Sequence, residues 1–376
     1  MTSSVTTDLL AIPIPAGVEG ESQSGLQMAN PRIYGALAHK PGNRAAAVVM
    51  HHTSNFLGHY LLPPMAEAGV DMLGLNSRYV ANDSTLIMER VIQDVGAGVK
   101  ALRERGYDKV FLIGNSGGAG LMSFYQSQAE NLTITQTPAG DPVALEKDQL
   151  PPADGIAICA GHLGRPLLLS GLIDPSVIDE KDPVSADPAL DIYDERNPRP
   201  FDSDFVTRYR AAQQARMRRI TDWAYRRLAY VRGNGIANDE AFTVYRTYAD
   251  PRYIDRTLDA NDRAERNSHR GADPRKVNYG PNTLGRFTTL TSWLSQWSPD
   301  SAAQGPADLA KTKVPVLQLE YTGDDSVFPS AVQAWAEAAG GRLTSERIVG
   351  ANHYLKGQPE LLAQVVRNLR GWMLDR

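Results

Sequence analysis

Two blocks of short, wholly apolar runs alternating with helical patterns restrict this chain more than any other feature. Over residues 45–164, Ala45–His51 (AAAVVMH), Val70–Leu75 (VDMLGL), Lys109–Ile113 (KVFLI) and Gly155–Ala160 (GIAICA) read as strands buried on both faces. Between them, Leu86–Glu104 places Ile87, Val91, Val95, Val99 and Leu102 at helical spacing, and Gly118–Ala129 reads as a further helix. The rhythm returns near the C-terminus with a strand at Val314–Leu319, a helix at Ser330–Ala339, a strand at Arg342–Val349 and a closing helix at Glu360–Leu374. Strands alternating with helices predict an α/β fold, a mostly parallel central sheet with helices on both faces. The stretch through Leu37 is expected to add one or two antiparallel edge strands.

Residues 165–304 have a different character, with no buried strand runs and many Arg, Asp, Tyr and Trp. Met217, Ile220, Ala224, Leu228 and Val231 mark one face of a helix, and a second helix is expected over Leu284–Trp297. The aromatics need burial, so this stretch is read as a helical insertion on the sheet and not as a linker. It accounts for the excess length of the chain, whose 376 residues are more than one minimal core uses. Residues 1–164 and 305–376 then form a single interrupted core.

The totals exclude several classes. A single cysteine, Cys159, rules out a disulfide-stapled scaffold. No apolar run approaches the roughly 20 residues that span a bilayer, and two prolines break Leu9–Pro15, so no membrane partner or signal peptide is expected. A net charge of -4 gives no reason to expect nucleic acid. The expectation is a soluble, cytoplasmic protein.

Chemistry concentrates where KVFLI runs into Gly114-Asn115-Ser116-Gly117-Gly118 and a helix follows. This is G-x-S-x-G in the strand–turn–helix setting that exposes a serine above a sheet, with the helix N-terminus favouring a developing oxyanion. Alternatives are a plain glycine-rich turn or a phosphate loop. However, neither the Gly-Lys-Ser/Thr ending nor G-x-G-x-x-G is present. Ser116 as nucleophile needs a base, and the base needs an orienting acid. Of seven histidines, His353 is the best base, lying just past the last strand in Gly350-Ala351-Asn352-His353. Asp324 and Asp325 both follow the strand at Val314–Leu319; one should orient His353, and the other should cap the helix near Ser330. His51, His52 and His59 invite a metal reading, but no H-E-x-x-H or cysteine pair accompanies them, and strand alternation would send 51 and 52 to opposite faces. Neither metal nor cofactor is expected. His162 ends another strand, either lining the pocket or serving structure.

The order serine, acid, histidine on successive strand ends resembles that of α/β-hydrolase-fold enzymes. The resemblance covers roughly 1–164 and 305–376, and it implies that 165–304 is a cap, or lid. That family commonly has Asp followed four residues later by Pro, which selects Asp325 with Pro329 and leaves Asp324 as the fallback. It also implies an oxyanion hole made by the Gly117 N–H and a donor from the loop after the third strand. That loop often begins His-Gly; here it reads His51-His52-Thr53-Ser54-Asn55, and the Thr53 N–H takes the position of the second donor. A side chain of His52 or Thr53 is the alternative.

The implied reaction is hydrolysis of a small carboxylic ester through an acyl-enzyme on Ser116. Asn115 is similar to the Gly-Asn-Ser elbows of some carbon–carbon bond hydrolases, which makes these the second reading, with thioesterase, lactonase and amidase beside them. Serine in place of aspartate at the elbow disfavours haloalkane dehalogenase and epoxide hydrolase chemistry. A non-catalytic binding protein of this fold is a reading of another class, although such proteins usually lose a triad member. The partner expected is a small molecule. Residues 195–276 hold 18 Arg and Lys against 12 Asp and Glu, and Arg219 with Arg226 on one helical face suggests an anionic substrate. The oligomeric state is open, a homodimer included.

Overall fold

The apolar runs pair side by side into one sheet. In the computed structural model, which describes residues 4–16, 30–264 and 273–375, the chain forms β1 (Thr6–Pro13), β2 (Arg32–His39), β3 (Ala45–His51), β4 (Val70–Asn76), β5 (Lys109–Asn115), β6 (Gly155–Cys159), β7 (Ala241–Thr243), β8 (Phe287–Thr289), β9 (Val316–Tyr321) and β10 (Leu343–Ile348). Eight of these make the sheet, in the order β1-β2-β4-β3-β5-β6-β9-β10. β2 runs antiparallel to both neighbours, and the six strands from β4 to β10 in this order pair in parallel. The central strands are buried, apart from Lys109 and His51 at strand ends, because helices cover both faces. Val48, Met50 and Leu112 pack against α2 (Met88–Glu104) and α3 (Gly118–Glu130). Val49, Phe111 and Ile113 turn the other way, onto α1 (Leu62–Glu67) and the closing helix, which spans Pro359–Leu374. Each fully buried side chain of this kind stabilises by about 1.5–3 kcal/mol.

The strand read over 314–319 lies two residues later, at Val316–Tyr321. Pro315 has no N–H to give a ladder and serves only as an acceptor, from Ile156.

Among the described residues, 165–304 contribute no strand to the eight-stranded sheet and have their own apolar clusters. Two helices organise them, α4 (Arg165–Leu172) and α5 (Ser203–Gly233). α5 starts where the Asp202 side chain accepts the Phe205 N–H at 2.7 Å. Its Met217, Ile220, Ala224, Leu228 and Val231 form the expected buried face, against Trp293, Leu294 and Trp297. The helix expected over Leu284–Trp297 is shorter than that. Phe287–Thr289 pairs instead with Ala241–Thr243 as a two-stranded ladder, and only Leu290–Trp297 is helical, closing in a wide π turn. Among the described residues, no helix is long and apolar enough to cross a membrane.

Candidate active site

β5 stops at Asn115 and α3 starts at Gly118, leaving two residues to reverse the chain. Ser116 takes φ 55°, a left-handed conformation that costs a non-glycine residue about 1–3 kcal/mol. The flanking glycines make the turn sterically feasible. A Cβ on Gly114 would lie 2.5 Å from Ala119 Cα, and one on Gly118 would lie 2.5 Å from the Met50 carbonyl oxygen. The strained residue is tied down on both sides: its N–H donates to the Cys159 carbonyl at 3.1 Å, and its carbonyl accepts the His162 N–H at 3.0 Å.

Ser116 Oγ lies 2.9 Å from His353 Nε2, and His353 Nδ1 lies 2.7 Å from Asp324 Oδ2. The acid against the histidine is thus Asp324, which corrects the expectation of Asp325. The local reason is a turn in which Asp324 Oδ1 accepts the N–H groups of Ser326 and Val327 at 2.7 and 2.9 Å. Those bonds fix the carboxylate with Oδ2 aimed at the imidazole. Asp325 has no such anchor, and its carboxyl is pushed up by burial and by the neighbouring Asp324 charge. Nor does Asp325 cap the following helix, whose Ser330 N–H is accepted by Asp259. Burial pulls the His353 imidazole down, but Asp324, through charge and hydrogen bond, raises it above the ordinary histidine value.

The loop after β3 differs from its sequence reading. β3 ends at His51 and the chain bends at His52, so both rings line one cavity, edge to face at 5.2 Å, and do not point to opposite faces. The Thr53 N–H does not point to an oxyanion position. It donates to His51 Nδ1 at 3.2 Å, as does the Ser54 N–H. A nitrogen accepting two N–H groups carries no proton, which assigns the His51 proton to Nε2. That nitrogen lies over Gly117, 2.5 Å from where a Cβ would be. The His51 side chain therefore occupies the region expected for a second donor; its position next to Gly117 gave no sequence signal.

The remaining histidines sit nearby. His59 is held to about 4 by burial, and hence is neutral. It accepts the Leu61 N–H at Nδ1 and approaches Asn115 Oδ1 at 3.2 Å, while the Asn115 amide donates to the Cys159 carbonyl. His162 lines the cavity, 3.2 Å from Ser326 Oγ. Burial holds His52 well below the ordinary value, and the Arg165 charge pushes in the same direction.

The cavity beneath these groups has a volume of about 280 Å³. Leu168, Leu172, Tyr248, Tyr253 and Trp297 wall it from the 165–304 side, together with Arg165, which sequence reasoning missed because nothing near it signals a site. Arg219 and Arg226, the cations singled out from the sequence, lie instead in a separate groove with Ile220, Trp223 and Phe242. Arg219 also faces Glu180 at 3.6 Å.

No protein-family model and no curated relative matches the chain. Among solved structures it is similar to the alpha/beta hydrolase GrgF from Penicillium sp. sh18, at a TM-score of 0.52 and 10% identity, over 99% of this chain and 100% of that one. The esterase domain of a Rhodothermus marinus protein (TM-score 0.47, 10% identity, 98% and 97% covered) and a monoacylglycerol lipase of Paleococcus ferrophilus (TM-score 0.47, 14% identity, 91% and 98% covered) are also similar. Identities this low speak to the fold alone. By strand order, by the serine turn and by the likeness to GrgF, this chain has the α/β-hydrolase fold.

Proposed function

We propose that this protein hydrolyses carboxylic esters of small organic acids through an acyl-enzyme on Ser116. The observation that carries the reading is the continuous chain Ser116 Oγ–His353–Asp324 at 2.9 and 2.7 Å. Ser116 Oγ attacks the ester carbonyl carbon while His353 Nε2 takes its proton. The proton then passes to the departing alcohol oxygen as the C–O bond breaks. In the second half, His353 removes a proton from water, which attacks the acyl carbon; as the acyl C–O bond to Ser116 breaks, His353 returns that proton to Ser116 Oγ. Asp324 keeps the imidazole in the required tautomer. The Gly117 N–H, at the N-terminus of α3, and the His51 Nε2–H are the donors to the oxyanion, each of a kind worth about 3 kcal/mol. Residues 165–304 act as the cap that closes the cavity and sets its selectivity.

Asn115, which suggested carbon–carbon bond cleavage, has its amide engaged by His59 and the Cys159 carbonyl, which supports a scaffold role. The test is covalent labelling by a fluorophosphonate together with turnover of short-chain methyl esters. Labelling and turnover are both expected to vanish in Ser116→Ala; label retained by that variant refutes the assignment.

A further inference from the structure

We propose that the side-on edge of Arg165, formed by Nε and Nη2, is a carboxylate-binding subsite in the catalytic cavity, so that the preferred substrates are monoesters bearing a free carboxylate. This rests on the hydrolase reading for the reaction and on the cavity alone for the charge.

Arg165 is 5% exposed and lines the cavity. Its guanidinium is fixed on one side only. Nη1 donates to Asp83 Oδ2 at 2.8 Å and to Gln296 Oε1, and the group lies over the Trp297 ring at 4.5 Å. On the other edge, Nη2 reaches Thr53 Oγ1 at only 3.4 Å, and Nε has no hydrogen-bond partner among the described residues. That edge presents two parallel N–H groups, the geometry that matches a carboxylate bidentately. Held this way, the fork loses little freedom when it binds.

The surroundings favour an anion. Among the described lining residues there is no Asp or Glu, and Arg165 is the sole Arg or Lys. Asp83, its ion-pair partner, does not line the cavity, and its side chain is 30% exposed, so solvent screens it. His52 is 1% exposed, its ring lines the same cavity, and its Nδ1 has no hydrogen-bond partner. A ligand without an anionic group would leave the cavity-facing edge of Arg165 and the His52 Nδ1 with no charged partner, which a carboxylate supplies.

The competing role for Arg165 is a brace between 165–304 and the core, and such a brace would not distinguish ligands by charge. Glutarate and neutral glutaramide are therefore compared first by calorimetric binding to the unaltered protein. Glutarate is expected to bind at least roughly tenfold tighter. Equal binding overturns the subsite without any Arg165 variant, and so covers the case in which variants fail to fold. Arg165→Met is expected to abolish the preference, and Arg165→Lys, a cation without the fork, to retain only part of it.

Turnover of monomethyl glutarate and methyl hexanoate then tests use of the subsite. The unaltered protein should favour the anionic ester through KM, and Arg165→Met should lose at least about tenfold in kcat/KM on that ester alone. An equal fall on both esters identifies a brace and overturns the proposal. If neither ester turns over and Ser116 takes no label while glutarate still binds selectively, the hydrolase reading fails and the carboxylate subsite stands.

Discussion

Which of two adjacent carboxylates serves His353 is settled by two backbone N–H groups. Asp324 and Asp325 follow the same strand and are equivalent by composition. Only the turn in which Ser326 and Val327 donate to Asp324 Oδ1 separates them. Asp324→Asn is expected to lower kcat by about 10³–10⁴-fold, because an amide disrupts the imidazole tautomer. Asp325→Asn should cost less than about tenfold; the reverse ranking in steady-state assays would return the role to Asp325. The pH dependence follows from the same contact. His353 acts as a base only when neutral, and Asp324 holds its proton on to higher pH. The acid limb of kcat/KM should thus have its midpoint above about 6.5 and move down in Asp324→Asn. A midpoint that does not move would show that the aspartate does not set it. His51→Ala should lower kcat by about 10²-fold with KM little changed if its Nε2–H meets the oxyanion. Ser116 and His353 were legible because chain order and strand ends identify them. Asp324, His51 and Arg165 were not, because each depends on where a side chain points after the chain bends.

Among the elements, legibility follows burial. The strands from β3 to β6 are apolar on both faces and stand out in the sequence, whereas β7 and β8 are three residues each and half-polar. The 165–304 segment was opaque for a physical reason: much of its interior is polar and is satisfied across long sequence separations. Arg216 is buried against Glu180, and Arg246 against Asp174 and Ser176. No local pattern announces such pairs. α2 meets this segment through a titratable contact. Glu89, in its first turn, accepts the Ser295 hydroxyl at 2.6 Å, and Oε1 is buried without a partner. A carboxylate at a helix N-terminus is ordinarily favoured, but burial dominates and raises Glu89 from 4.5 to about 7. Between those values the folded state keeps a proton that the unfolded chain has released, so this group's contribution to stability falls as pH rises from about 4.5 to about 7. Glu89→Gln should remove that loss. Its Tm relative to the unaltered protein is expected to rise between pH 5 and pH 8, and a constant difference would show that Glu89 is already ionised in the fold.

Across the whole molecule, the insertion leaves and re-enters the core at one point. Gly164 and Gly305 are in contact there, both at positive φ, and a Cβ on Gly305 would collide with the Leu163 carbonyl oxygen. Further ties lie elsewhere: Arg165 to Asp83, Ser295 to the Met88 N–H, Asp262 to Thr322, and Asn261 to the Asp324 carbonyl. The last two reach the turn that holds the acid, so the insertion supports the hydrogen-bonded chain as well as walling the cavity. Part of the basic excess of 195–276 is met within 165–304 itself, where Arg216, Arg246 and Arg252 find their carboxylates. With its own apolar cluster and its own ion pairs, the segment has the makings of an independent unit. The contacts on both sides of the cavity argue instead for joint unfolding. Gly305→Ala separates the two. Steric clash and a strained φ should destabilise by about 1–3 kcal/mol. If the parts are coupled, calorimetry will show a single transition moved to lower temperature, with ester turnover lost along it. A new low-temperature transition, with the main one unmoved, would mean that the insertion unfolds on its own and that its ties to the acid turn are too weak to carry the coupling.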